Sequence, residues 1–106
     1  HSDGDMSPLL DAWLELGQDA IHPIQPDVMD INDVKERYGD QVAIVGNIFM
    51  NDLVDKTPEE IDAQVRTRIE EIGKDGGYIV SSSNSLTDDM KPENVFAMRD
   101  AIQNYG

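Results

Sequence analysis

Val42-Ala43-Ile44-Val45-Gly46 is an uninterrupted apolar run of strand length. A run without polar alternation suits a strand buried on both faces, as in a parallel sheet covered by its crossover helices. Downstream, Thr57-Pro58-Glu59-Glu60 is a capping box with proline at the first helical position. Ile61, Val65, Ile69 and Ile72 follow with the helical period, and Gly73 closes the segment. After Gly76-Gly77 comes another apolar run, Tyr78-Ile79-Val80, leading into Ser81-Ser82-Ser83-Asn84. Pro92-Glu93 then opens a helix with Val95, Met98, Ile102 and Tyr105 on one face.

Upstream the same alternation holds. Asp30 is the expected N-cap of a helix carrying Ile31, Val34 and Tyr38, ended by Gly39. Ala20 to Ile24 reads as a strand ending at Gln25-Pro26. Ser7-Pro8 suits the N-cap and first position of a leading helix, with Leu9, Leu10, Trp13, Leu14 and Leu16 on a broad apolar face and Gly17 at its end. The order is a helix, then strand and helix three times. Such alternation specifies an α/β architecture with a parallel sheet of right-handed βαβ units. The chain starts at His1, where the residue after another strand belongs. It therefore reads as three βα units and the helix of a fourth, residues 1–106 forming one piece of a longer single domain.

The 106 residues carry 22 acidic and 8 basic side chains, a net charge of -14, and no cysteine. That charge repels phosphate backbones and anionic lipid, which argues against nucleic-acid and membrane partners. Without cysteine there is no disulfide framework, thiolate zinc site or cysteine nucleophile. The glycines do not fall in a dinucleotide fingerprint, and neither a P-loop nor a nucleophile elbow is present. A cytoplasmic location is the expectation.

In parallel α/β proteins ligands meet the loops at the C-terminal ends of strands. Those positions here are His1 and Asp3, His22 and Gln25, Asn47, and Ser81, Ser83 and Asn84. His1 and Asp3, two residues apart on an extended segment, project to one side as an acid/base pair or half of a metal site would. His22 beside Pro23 reads as a hydrogen-bonded strand histidine, and the serine run as hydroxyl donors, an anion nest or a plain polar loop. The connection from Ile48 to Lys56 is long and carries Phe49, Met50, Leu53 and Val54. It reads as a lid or pocket wall, the alternative being a loop folded onto its own helix.

Eight segments recur together in order and spacing: His1-Ser2-Asp3-Gly4, Leu16-Gly17, Pro23-Ile24-Gln25-Pro26, Arg37-Tyr38-Gly39-Asp40, Val45-Gly46-Asn47-Ile48, Thr57-Pro58-Glu59-Glu60, Gly76-Gly77-Tyr78-Ile79 and Pro92-Glu93-Asn94-Val95. Together the chain resembles the C-terminal third of the uroporphyrinogen decarboxylase superfamily. The resemblance implies the last strands and helices of a (β/α)8 TIM barrel. It also implies one of two activities. One branch decarboxylates the acetate arms of uroporphyrinogen without a cofactor. The other moves methyl groups to or from corrinoid proteins or coenzyme M, commonly with zinc.

The decarboxylases carry a histidine in the loop after the last strand, and the matching position here is Asn84. The coenzyme M enzymes carry His-x-Cys where this chain has His1-Ser2-Asp3, and a second cysteine in the last loop, where this chain has serines and asparagine. The His-Ser-Asp-Gly version resembles members linked to methoxy or methylamine demethylation. The expectation that follows is a methyltransferase acting on a small methylated substrate, with a corrinoid protein as partner. His1 and Asp3 would be its acid/base pair or zinc ligands. Gln25, Asn47, Ser83 and Asn84 would orient substrate. The competing expectations are a cofactor-free decarboxylase of porphyrin biosynthesis and a non-catalytic α/β binding module. Alone, three strands cannot close a barrel, so the isolated segment should be inactive, and its open edges should favour homo-oligomers.

Overall fold

In the computed structural model, which describes residues 1–106, the expected strands and helices follow in order, with one further short helix between the second strand and its crossover helix. A 3₁₀ turn at Ser7–Leu9 leads into α1 (Leu10–Glu15), then β1 (Ala20–Ile21), α2 (Ile31–Tyr38), β2 (Ala43–Val45), α3 (Met50–Asp55), α4 (Pro58–Glu71), β3 (Tyr78–Ile79) and α5 (Pro92–Tyr105). The three strands form one parallel sheet in the order β1-β2-β3. Ile21 pairs with Ile44 and Ile44 with Tyr78, so these three side chains share a face. A further parallel bridge joins Ile48 to Ser82 beyond the named strands and carries the pairing on to the strand tips.

The helices lie over that shared face. Ile21, Ile24 and Ile44 pack with Leu10, Ile31, Val34 and Tyr38 from α1 and α2, and with Ile72 at the end of α4. A second cluster unites Ile48, Leu53, Ile61, Val65, Met90 and Ala101 under α3, α4 and α5. The opposite sheet face, Ala20, Ala43, Val45 and Ile79, has no helix on it, and Ile79 is 56% exposed. The expectation that β2 is buried on both faces therefore fails in this chain: Ile44 is 0% exposed, whereas Ala43 and Val45 are half-buried. One-sided covering is the geometry of an arc of a (β/α)8 barrel, whose inner face is filled from the other strands.

Local signals explain the helix starts. The Asp30 carboxylate accepts from the Asn32 N–H at 2.8 Å, capping α2. Thr57 and Glu60 exchange hydrogen bonds of 3.3 and 2.9 Å as a reciprocal capping box on α4. Ser7 does not cap the leading helix. Its N–H donates to the Asp5 carboxylate, Met6 holds the cap position of the 3₁₀ turn, and only Leu10 of α1 is buried. The hydrogen bond from the Tyr38 hydroxyl to the Asp11 carboxylate, 2.7 Å, ties α1 to α2 and, with burial, holds the phenol above its usual range.

Two helical details differ from the sequence expectation. The segment from Ile48 to Lys56 is a short helix packed into the second core rather than a lid. Leu53 is 0% exposed, because its apolar side chains find α5 closer than solvent. In α5 the deepest positions are Asn94 and Ala101, both 0% exposed, with Val95, Met98 and Ile102 half-buried and Tyr105 exposed. The small Ala101 lets α5 approach α4. Asn94 takes its deep place because its amide donates to two carbonyls at the end of α3, Leu53 at 3.0 Å and Lys56 at 2.8 Å.

Candidate active site at the strand tips

Ser2 N–H donates to the His22 carbonyl at 2.9 Å, which lays the His1-Ser2-Asp3 segment beside the end of β1. His1 is thereby set edge-on against His22, Nδ1 to Nδ1 at 2.7 Å, the rings tilted by 52° with centroids 4.7 Å apart. The second nitrogen of each ring faces an oxygen. His1 Nε2 lies 3.4 Å from Asp3 Oδ2, and His22 Nε2 lies 3.3 Å from the Ser82 carbonyl. The Asn84 amide donates to both Asp3 oxygens at 3.2 Å. The loops after β1 and β3 and the segment before α1 thus meet at one end of the sheet. His1 and Asp3 keep about half their side-chain surface open, 46% and 51%, and a cleft of about 130 Å³ runs along His1, His22 and Trp13.

Of the residues expected to form the site, His1, Asp3 and Asn84 come together. Gln25 is one step removed. Its Oε1 accepts from the Gly4 N–H at 2.7 Å and its Nε2 donates to Asp27 at 2.8 Å, so it fixes the turn after Asp3. That turn needs glycine, since Gly4 has φ +89°. Ser83 is buried, with its N–H on the Ile48 carbonyl at 2.8 Å, and no side-chain hydrogen bond links it to the cluster. Asn47 is placed elsewhere. It is 1% exposed, and its amide donates to the Ile24 carbonyl at 3.0 Å. The cause is Gly46, whose φ of +126° is open to glycine and breaks the strand alternation just before Asn47. Both substrate-orienting expectations, for Asn47 and Ser83, thus meet buried side chains in this chain. His22, read from the sequence as a strand histidine, is instead the closest partner of His1. Its position at a strand tip was the available signal.

These donors supply part of a zinc site. The 3.4 Å between His1 Nε2 and Asp3 Oδ2 is near the roughly 3.3 Å that separates two ligands with 2.0–2.1 Å bonds on a tetrahedral zinc. The chain holds no group of three or more His, Cys, Asp or Glu side chains suited to an ion. His1 and Asp3 therefore fit two corners of such a site and do not complete one.

Behind the tips, between α2 and α4, lies an open cleft of about 450 Å³ lined by Asn47, Arg68 and the segment Pro26–Asn32. Asn47 Oδ1, Arg68 Nε and the nearby Tyr78 hydroxyl are buried there without hydrogen-bond partners. Burial pushes the Tyr78 phenol up to about 12, against the opposing pull of Arg68 and the Asn47 backbone. Between pH about 10, where the unfolded chain loses this proton, and the raised folded value, the native state binds more protons. Stability contributed by Tyr78 thus falls as pH rises through that window. Tyr78→Phe in a full-length protein carrying this segment should be neutral or slightly stabilising at pH 7, because the buried hydroxyl makes no well-formed hydrogen bond and its polar contact with the Asn47 backbone is weak. It should also flatten the alkaline decline in denaturation midpoint. An unchanged alkaline profile would contradict the assignment.

The chain is similar in sequence and fold to known proteins. The family model for uroporphyrinogen decarboxylase (URO-D) matches residues 1–105. The uroporphyrinogen decarboxylase of Methylococcus capsulatus is 33% identical over 96 residues, covering 91% of this chain and 27% of that enzyme. That of Psychromonas ingrahamii is 32% identical over 93 residues, 88% of this chain and 25% of the enzyme. The chain thus spans about a quarter of the length of these relatives. Among solved structures, a methyltransferase from Methanosarcina mazei superposes on 97% of this chain and 29% of its own, with a TM-score of 0.79 at 18% identity, a likeness of fold. No helix is long and apolar enough to cross a membrane. With its parallel α/β arc and its match across residues 1–105, the chain belongs to the uroporphyrinogen decarboxylase (URO-D) family.

Proposed function

We propose that this chain carries part of the active centre of a URO-D-family enzyme that transfers a methyl group from a small methylated substrate to a corrinoid protein. The observation that supports this reading is the cluster of His1, Asp3, His22 and Asn84, with two imidazoles and a carboxylate gathered at one strand-tip mouth. A methyl ether or amine is a poor leaving system. Its heteroatom must be protonated or polarised as the methyl group departs, and a reduced corrinoid is the nucleophile that takes it. In this reading His1 gives the leaving heteroatom a proton from Nε2, and Asp3, held by the Asn84 amide, balances the imidazolium charge. Where further donors join His1 and Asp3, zinc held there would supply Lewis-acid polarisation of the same atom.

A second reading is supported by the names of the relatives: decarboxylation of uroporphyrinogen. The last loop offers Asn84 where the resemblance to that branch leads one to expect histidine. One experiment separates the two. A full-length protein carrying this segment is incubated with methoxylated or methylamine substrates and a reduced corrinoid protein, and separately with uroporphyrinogen. The methyl-transfer reading expects demethylated product by mass spectrometry, dependent on the corrinoid protein, and no carbon dioxide from the porphyrinogen. Decarboxylation without methyl transfer overturns it.

A further inference from the structure

We propose that the cleft between α2 and α4 is a second binding site, for a small zwitterion whose carboxylate meets Arg68 and whose ammonium meets Asn47 Oδ1. It lies apart from the strand-tip cluster: none of His1, Asp3, His22 or Asn84 lines it. The inference therefore does not depend on the proposed reaction. Its volume, about 450 Å³, falls within the range of small-molecule sites.

Arg68 is the first reason. The chain has 22 acidic against 8 basic side chains, and its exposed cations find carboxylates readily. Lys56 pairs with Asp52, Arg66 with Glu70 and Arg99 with Asp100. Arg68, on the same helix as Arg66, makes no ion pair, and its Nε is buried without an acceptor. A guanidinium only donates hydrogen bonds. The partner that suits its planar fork is a carboxylate, which accepts two parallel bonds.

Asn47 is the second reason. It is 1% exposed, and the orientation of its amide is fixed by chemistry. The Ile24 carbonyl can only accept, so the amide nitrogen faces it at 3.0 Å and Oδ1 is left without a donor. A buried oxygen in that condition is rare in folded proteins. Asn47 and Arg68 line the same cleft. The cleft thus joins a donor lacking an acceptor to an acceptor lacking a donor.

The rest of the lining decides the charge of the missing donor. Asp27 and Asp30 stand in the same cleft, where each also accepts from a neighbour, Gln25 Nε2 and the Asn32 amides respectively. Two carboxylates against one guanidinium leave the cleft net negative, which disfavours a plain anion. A ligand that brings a cation along with its carboxylate restores the balance. Its ammonium supplies the hydrogen that Oδ1 lacks, and Asp27 and Asp30 stabilise its charge. Val28, 47% exposed on the same cleft, gives the methylenes between the two charges an apolar wall.

The test uses a full-length protein carrying this segment, ¹⁵N-labelled at arginine, with the Arg68 Nε–H signal assigned through Arg68→Gln. Glycine, 4-aminobutanoate and 5-aminopentanoate are the zwitterionic probes, chosen because the distance between their charges differs. Acetate and butylammonium carry a single charge each. At least one zwitterion is expected to shift the Arg68 signal and to bind at least about tenfold more tightly than either single-charge probe in calorimetry. Arg68→Gln should weaken that binding about 10–100-fold, the range for a lost charge-assisted hydrogen bond. Asp30→Asn, which keeps a capping side chain on α2, should weaken it about 2–5-fold. Both variants should melt as the unsubstituted protein does, since one loses no bond and the other keeps its cap. The proposal is overturned if no zwitterion moves the Arg68 signal up to about 10 mM. It is equally overturned if a single-charge probe binds as well, or if either variant leaves the affinity unchanged.

Discussion

His1→Ala is expected to lower kcat/KM for the proposed demethylation by about 10²–10⁴-fold, the usual contribution of a positioned general acid. That loss corresponds to about 3–5 kcal/mol of transition-state stabilisation. The melting temperature should hardly move, because the His1 side chain is nearly half exposed and packs into neither core. Asp3→Asn provides the graded comparison. It keeps an oxygen for the Asn84 amide but removes the charge that balances an imidazolium, so its loss should be smaller than that of His1→Ala. The order of the two variants carries the assignment. If Asp3→Asn were the more damaging, the carboxylate rather than the imidazole would be the reacting group. If both kept full activity, the strand-tip cluster would not be the reaction centre. Steady-state kinetics on a full-length protein carrying this segment, with melting curves on the same samples, decides between these outcomes.

The sequence made the helix starts and the strand order readable because those depend on neighbours in the chain. Thr57 and Glu60 are three residues apart, Asp30 and Asn32 two, and each pair acts as its spacing foretells. The family-level reading was legible for a related reason, since eight short segments kept their spacing. What sequence could not convey was set by contacts between distant residues. His22 meets a carbonyl 60 residues away, and Asn84 meets a carboxylate 81 residues away. Beyond its position at a strand tip, nothing local to His22 distinguishes it from a structural histidine. Asn47, expected at a strand tip, is turned into the interior just past Gly46, whose backbone angle breaks the alternation. The α3 segment was misread because apolar residues in a long connection are compatible with a lid or with a core. Only the presence of acceptors for Asn94 and Lys91 beneath it selects the second.

Asn94→Leu is expected to destabilise the fold by about 2–3 kcal/mol although it nearly conserves volume. Asn94 donates to the Leu53 and Lys56 carbonyls, and neither is freely open to water, so substitution leaves two acceptors short of a donor. Each such loss costs about 1–3 kcal/mol. Part is offset, because Asn94 Oδ1 is itself buried without a partner and leucine removes that defect. Lys91 offsets another part. Its N–H also donates to the Leu53 carbonyl at 3.2 Å, and its ammonium reaches the Asp55 and Lys56 carbonyls at 3.1 Å, a cation at a helix C-terminus. Lys91→Ala on the Asn94→Leu background should therefore cost more than it does alone, the signature of two donors sharing acceptors. Denaturant midpoints of the four proteins in that cycle measure the coupling; strict additivity would mean that the two donors hold α3 independently. The consequence for the site is indirect but directed. Residue Ile48, at the head of α3, pairs with Ser82, whose carbonyl fixes His22. Loosening α3 should thus speed hydrogen exchange of the Ser83 N–H, which donates to the Ile48 carbonyl at 2.8 Å, before the fold melts, whereas a destabilising change in the first core, such as Val34→Ala, should lower the midpoint without that effect.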